Sequence, residues 1–336
     1  MTAPRPSLPH CPPAGYNVAA FHRRKRMQYR QLGDTDLIVS RICFGCWQLS
    51  PRFWGDVDLE PWRAAIRAAL DCGVNFIDTA DAYGDGYAET ELGNFLAAEK
   101  LRDRFVLATK FYWNFETEDR YPDTSYDYIL RACEASLKRL KTDRIDLYQI
   151  HAWDPLTRPE EVAAALHRLK KEGKVRWFGV SNLNVEQMRA YGRYFEISCL
   201  QPLYNLLDRQ VEGEELPYCQ TERIGVITYS TLARGLLSGK YSKDHVFQDS
   251  RANNPRFQGE RFARILDRLE QARPIAESYG LDIPQLAVRW VLTHPAVTSA
   301  IVGVKEPSHI TGVAPAADGE LSQKDWHTLA GIVRDT

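Results

Sequence analysis

The sequence lacks any run of the roughly 18 or more apolar residues that a membrane-crossing helix needs. Its first residues also lack the apolar core of a secretory leader, so the chain reads as cytoplasmic. It has almost no charge imbalance: 43 Lys and Arg stand against 44 Asp and Glu, a formal net charge of −1. That balance gives no broad attraction to nucleic acid or to an anionic membrane. Cysteine is sparse, seven in 336 residues, an odd number scattered through apolar segments rather than spaced as a disulfide framework. Cys43 and Cys46 make one C-x-x-C pair. With no second pair and no nearby histidine to complete a zinc set, they are expected to be packing residues, and no metal is expected.

Residues 1–26 lack acidic side chains altogether and carry five prolines and a basic cluster at Arg23, Arg24, Lys25 and Arg26. Prolines at that density prevent a regular helix, so this stretch is expected to be a disordered extension. A single domain is expected over 27–336.

From Met27 the pattern becomes regular. MQYRQLG, DTD and LIVSRICFG read as a β-hairpin running into a first buried strand. Strand candidates follow at 41–44, 75–78, 105–110, 145–151, 175–181, 199–201, 224–229 and 299–302. Between most of them lie helical stretches, at 61–72, 89–98, 125–139, 159–171 and 185–194. In 159–171, for example, Val162, Ala165, Leu166 and Leu169 follow helical spacing while Glu160, Glu161, Arg168 and Lys171 stay polar. The strands are near-continuous apolar runs, which marks a parallel sheet buried on both faces. Eight strand–helix units close naturally into a (β/α)8 TIM barrel, with the hairpin closing the barrel bottom and two extra helices at the C-terminus. The seventh connection, 230–256, is much longer than the others and rich in Gly, Ser and Asn, and an insertion of that length usually carries function.

In such a barrel, functional groups gather where the strands end. Asp78 ends the second strand, Lys110 the third and His151 the fourth, and Tyr83 follows Asp78 by five residues in the loop at the same mouth. Chemically these four suit one task. A carbonyl that accepts hydride needs a proton at its oxygen, and a phenol, with a reference pKa of about 10, is a weak acid for it. A neighbouring ammonium lowers that value, and a carboxylate keeps the ammonium charged and in place. An imidazole can then orient the carbonyl oxygen. Each residue alone has an ordinary structural reading; their convergence on one rim favours catalysis.

The segments GVNFIDTADAYGDGYAETELG, FVLATKF, RLKTDRIDLYQIH, GKVRWFGVSN and YSTLARGLLSGKY resemble, in order, the signature blocks of the aldo-keto reductase superfamily, from about Met27 to the C-terminus. The resemblance implies an NAD(P)H-dependent carbonyl reductase with Asp78, Tyr83, Lys110 and His151 as catalytic tetrad and Tyr83 as general acid. It implies that Ser181, Asn182 and Gln201 hold the nicotinamide amide, that Tyr229 stacks on the ring, and that Ser230, Leu232, Arg234 and Lys240 embrace the pyrophosphate. Gly303, Lys305 and His309 fall in the block at the adenosine end; Gly303 and Lys305 match it, and Lys305 suits a 2′-phosphate. The pattern departs from the family there at His309 and Val313. On Lys305, NADPH is the expected cofactor, with NADH the alternative.

Trp47, Phe53, Trp54, Tyr112, Trp113 and Trp153 are candidates to line the substrate pocket, where aromatics can stack on a sugar face or enclose an aromatic aldehyde. The expected substrate is a small carbonyl or sugar. Running oxidatively, the same site would make a sugar dehydrogenase; with slow turnover and tight cofactor binding it would make a redox-sensing subunit. Two other readings fail on the residues. GDGYAE is not a Rossmann loop, because Glu89 stands where a small residue must pack. Lys110 is a poor Schiff-base nucleophile, because a neighbouring Asp78 opposes the lowered pKa that such a lysine needs.

Overall fold

The computed structural model describes residues 27–333. The expected N-terminal extension, 1–26, lies outside the described residues. Eight strands form the barrel: β1 (Ile42–Gly45), β2 (Phe76–Asp78), β3 (Val106–Phe111), β4 (Ile145–Ile150), β5 (Val175–Ser181), β6 (Cys199–Gln201), β7 (Gly225–Thr228) and β8 (Val297–Gly303). Each pairs in parallel with its sequence neighbours, and β8 closes on β1.

The hairpin strands Tyr29–Gln31 and Ile38–Ser40 pair antiparallel. Their connection carries Leu32, and Leu32, Leu37 and Val39 are buried in one cluster with Cys43, Phe76, Ala108, Leu147, Cys199, Ile227 and Ile301. This is the lower filling of the barrel. The backbone at Gly33 turns with φ +55 so close to Ser198, Arg223 and Gly225 that a Cβ would collide with their main chains. Because strand side chains alternate, two residues beyond each member of that layer comes an upper layer on the same face. Phe76 is followed by Asp78, Ala108 by Lys110, Leu147 by Gln149, Cys199 by Gln201 and Ile227 by Tyr229. The sheet thus converts a dry floor into a polar rim in one step of the pleat.

Several element bounds differ from the sequence reading. The eighth strand starts at Val297, two residues earlier than expected, because Thr298 and Ser299 interrupt the apolar run. Their hydroxyls are satisfied inside the barrel, Thr298 by the Val226 N–H and Ser299 by donating to the Ser40 carbonyl. The first long helix spans Leu59–Asp71 rather than 61–72, capped by the Asp58 carboxylate, which accepts from the Glu60 N–H. Asn184 and Gln187 form a capping box at the start of Val185–Gly192, which ends two residues short of the expected bound. The two extra C-terminal helices are Pro307–Val313, packed on Leu59–Asp71, and Gln323–Ile332. Among the described residues, no helix is long and apolar enough to cross a membrane.

Candidate active site

Lys110 stands at the centre of the rim, fully buried. Its Nζ donates to Asp78 Oδ2 at 2.6 Å, to the Thr79 carbonyl at 2.8 Å and to the Tyr83 phenol oxygen at 3.2 Å. An ammonium has three N–H donors and no acceptor, so all three are spent. Burial alone would discharge this lysine, but attraction to Asp78 and Tyr83 outweighs it and holds its pKa above the ordinary lysine value.

Tyr83 is brought to Lys110 by a tight turn after β2. Gly84 and Gly86 adopt left-handed conformations, and the Gly86 N–H closes back on the Asp81 carbonyl at 2.6 Å. The sequence reading expected the ammonium to lower the phenol pKa. Burial wins instead: desolvation, assisted by Asp78, outweighs the pull of Lys110 and pushes the value up to about 12. Tyr83 is therefore a protonated phenol throughout the physiological range. His151 follows β4, its ring edge-on to Tyr83 with centroids 6.0 Å apart. Burial and then the Lys110 charge depress its pKa to about 3, so the imidazole is neutral. Its Nδ1 is buried and has no hydrogen-bond partner among the described residues.

The remaining oxygen of Asp78, Oδ1, accepts from Gln201 Nε2 at 2.8 Å and from Gln149 Nε2 at 3.2 Å. Gln149 did not stand out in the sequence, although the strand period of two places it on the same face as His151 and registers it beside Lys110. From Gln201 the network continues along the rim. The Gln201 carbonyl accepts from Ser181 Oγ at 2.8 Å, Asn182 Nδ2 donates to the His151 carbonyl at 3.2 Å, and the Tyr229 hydroxyl donates to Asn182 Oδ1 at 2.8 Å. Asn182 holds a left-handed φ of 59 to make this bridge.

The loop after β7 is strained in a short space. Ser230, Ala233 and Arg234 all have left-handed φ, with Gly235 beside them. Each such non-glycine residue costs roughly 1–3 kcal/mol, and strain of this kind concentrates where ligands are held. Arg234 donates to Ser250 Oγ at 2.7 Å, and Ser250 donates to the Phe53 carbonyl at 3.1 Å, tying this loop to the short helix Pro51–Trp54 after β1. Three cations surround the Trp54 ring: Arg251 at 5.4 Å, Lys305 at 5.5 Å and Arg234 at 5.8 Å from its centroid. Burial, then repulsion from Arg251, lowers the pKa of both Arg234 and Lys305. Asp249, bound to Arg251, is the carboxylate set against this cluster. Arg251 is a member that sequence reasoning missed, since nothing separates it from other polar residues of a long loop.

Leu232 is half-buried and Lys240 exposed in the same loop; Gly303 ends β8, where any Cβ would collide with the Gln48 amide. His309 Nδ1 accepts from the Lys305 N–H at 3.2 Å. The aromatic set splits in two. Trp47, Phe53 and Trp54 pack together on the cationic side, Trp47 and Trp54 edge to face at 5.2 Å. Tyr112 and Trp113 pack at 5.0 Å near β3, and Trp153 lies at 5.0 Å from Tyr191 while its carbonyl accepts from the Tyr112 hydroxyl. Trp47 and Trp54, expected in the substrate pocket, thus sit with the candidate phosphate groups. Among the described residues no group of His, Cys, Asp and Glu is arranged to hold a metal, and Cys43 and Cys46 are buried free thiols.

The model of the Aldo/keto reductase family matches residues 41–334. The chain is 36% identical over 313 residues to the aldo-keto reductase YhdN of Bacillus subtilis, covering 92% of this chain and 95% of that protein. It is 36% identical to an NADH-specific methylglyoxal reductase of Escherichia coli, covering 88% and 94% respectively. Among solved structures, a glycerol dehydrogenase from Gluconobacter oxydans superposes with a TM-score of 0.83 at 34% identity, over 91% of this chain and 94% of that one.

Proposed function

This chain belongs to the aldo/keto reductase family, an oxidoreductase acting between carbonyl and alcohol with a nicotinamide cofactor, and we propose that Tyr83 is its proton donor. The observation that carries the proposal is the direction of the hydrogen bond at the phenol. Lys110 can only donate to Tyr83, so the phenol proton is directed away from the lysine, free for a substrate oxygen. A bound reduced nicotinamide supplies the hydride. Tyr83 gives its proton to the developing alkoxide, and the phenolate left behind accepts from Lys110, whose charge Asp78 secures. Neutral His151, with one ring N–H, orients the carbonyl oxygen. Positioned acid catalysis of this kind contributes roughly 10²–10⁴-fold.

The residues present suit the cofactor. Ser181, Asn182 and Gln201 converge at the ends of β5 and β6, and Tyr229 lies beside them for stacking. Among the described residues, Arg234 Nε, Trp54 Nε1 and Ser238 Oγ are buried polar atoms without hydrogen-bond partners; here Arg234, Arg251 and Lys305 would take the phosphates, with Ser230, Leu232 and Lys240 along the same loop. Gly303 and His309 border that end. NADPH is the preferred form, because Lys305 adds a cation beyond those the pyrophosphate needs. Tyr112, Trp113 and Trp153 then face the substrate, a small aldehyde, ketone or sugar. The likeness to a glycerol dehydrogenase supports a second reading, oxidation of a polyol at the same site.

The test is reduced-cofactor absorbance with NADPH and NADH against aldehydes and aldoses, and with NADP+ against polyols. Turnover with one carbonyl class supports the reductase; turnover with polyols alone supports the oxidative reading. Cofactor binding without any turnover overturns both in favour of a sensor.

A further inference from the structure

Asp78 touches more than Lys110, and its second set of contacts fixes something a carboxylate is well suited to fix. A side-chain amide presents a donor on one side and an acceptor on the other, and its orientation is set by its neighbours. An ionised carboxylate only accepts. Asp78 Oδ1 therefore demands the NH2 end of both Gln149 and Gln201, which stand 3.2 and 2.8 Å away. With Gln149 so turned, its Oε1 is the atom that meets Gln201, and it accepts from the same Gln201 Nε2 at 3.2 Å. Turning Gln201 over would set its oxygen against two oxygens at once. All of these groups are buried, and Gly179 provides the room: a Cβ there would press on the Gln149 side chain at 3.1 Å.

We infer that Asp78, acting directly and through Gln149, is a positioning residue for cofactor specificity: it locks the Gln201 amide so that Oε1, which makes no hydrogen bond among the described residues, is the atom offered to the ligand. A ligand carboxamide can satisfy that acceptor with its NH2 group; a methyl ketone of the same shape cannot. The inference rests on the reading that a nicotinamide lies against Gln201, and extends it from contact to a stated polarity. It also gives Asp78 a task independent of the proton donor.

Calorimetric binding to the unmodified enzyme and its variants separates these points without any turnover. Three probes are needed: NADP+, its 3-acetylpyridine analogue, in which acetyl replaces carboxamide, and 2′-phospho-ADP-ribose, which lacks the ring. The wild type is expected to prefer NADP+ over the acetyl analogue by roughly tenfold, the worth of one hydrogen bond to an otherwise unpaired group. In Asp78→Asn the side-chain oxygen stays on Lys110 and its NH2 replaces Oδ1, so both glutamine amides must turn over. The preference should then fall to within twofold, with 2′-phospho-ADP-ribose binding unchanged as proof of a folded site. Gln149→Met leaves the carboxylate in place, and should keep the preference while weakening both dinucleotides alike. A wild-type preference that persists in Asp78→Asn, or a wild type that binds both dinucleotides equally, overturns the inference and leaves the oxidoreductase reading intact. Failure of the wild type to bind either dinucleotide, while 2′-phospho-ADP-ribose binds, overturns the placement of the nicotinamide and the inference with it.

Discussion

Lys110 Nζ donates to the Tyr83 phenol oxygen at 3.2 Å and never receives its proton. In the proposed mechanism this relationship makes Tyr83 a donor toward the mouth and Lys110 the stabiliser of what remains afterwards. Tyr83→Phe removes the transferable proton and little volume. Carbonyl reduction should fall by at least roughly 10²-fold, with cofactor affinity within about twofold of wild type. Steady-state kinetics and a binding titration measure the two; near-normal turnover would sink the assignment.

Lys110 and Asp78 are both almost wholly buried. Removing one partner of such a pair strands the other's charge, at a cost of about 3–5 kcal/mol. Lys110→Met should show that loss in urea unfolding. Adding Asp78→Asn to it should recover part of the loss, because a neutral amide replaces the stranded carboxylate. A double variant as unstable as the two single losses summed would mean the pair is not coupled.

His151 titrates at about 3 in the folded chain, depressed first by burial and then by Lys110. The unfolded chain protonates this histidine near its ordinary value of about 6.5. Below that pH the unfolded state binds the extra proton, so the stability that neutral His151 provides is present above about pH 6.5 and drains as pH falls toward 3. His151→Asn should flatten the decline in thermal midpoint between neutral and acidic pH. The same depressed value means that no break in reductive kcat/KM near pH 6–7 should come from His151. A break there that vanishes in His151→Asn would contradict a neutral imidazole.

Much of this could be read from the chain because the candidate catalytic groups sit at strand ends, where an apolar run stops on a charged residue. Asp78 and Lys110 announce themselves that way. Gln149 does not, being an uncharged residue inside IDLYQIH, and only counting back two from His151 finds it. The direction of the Tyr83 shift was also hidden, since charge can be read from sequence but desolvation cannot. Glu89 is a third case. In sequence it merely spoils a glycine motif, yet in the fold it is completely buried, accepting from Arg139 at 2.7 Å and Thr109 at 2.5 Å. Its partners lie 50 and 20 residues away, so its role depends on packing rather than on local pattern. The cations around Trp54 were hidden for the same reason, because Arg234, Arg251 and Lys305 come from distant loops.

The proposed preference for NADPH rests on Lys305. Its Nζ reaches the Trp54 carbonyl at 3.4 Å, a weak contact for an ammonium, and among the described residues no salt bridge to it is formed. Burial, then the Arg251 charge, already presses it toward neutrality, so an arriving dianionic phosphate would meet a cation short of partners. Lys305→Met keeps the length of the side chain and its packing on Trp54 while removing the charge. A charge-assisted contact to phosphate is worth about 1.5–3 kcal/mol, so NADPH affinity should fall by roughly tenfold or more. NADH, which has no 2′-phosphate, should bind as before. If both affinities fall together, Lys305 serves the pyrophosphate instead, and NADH becomes the better candidate.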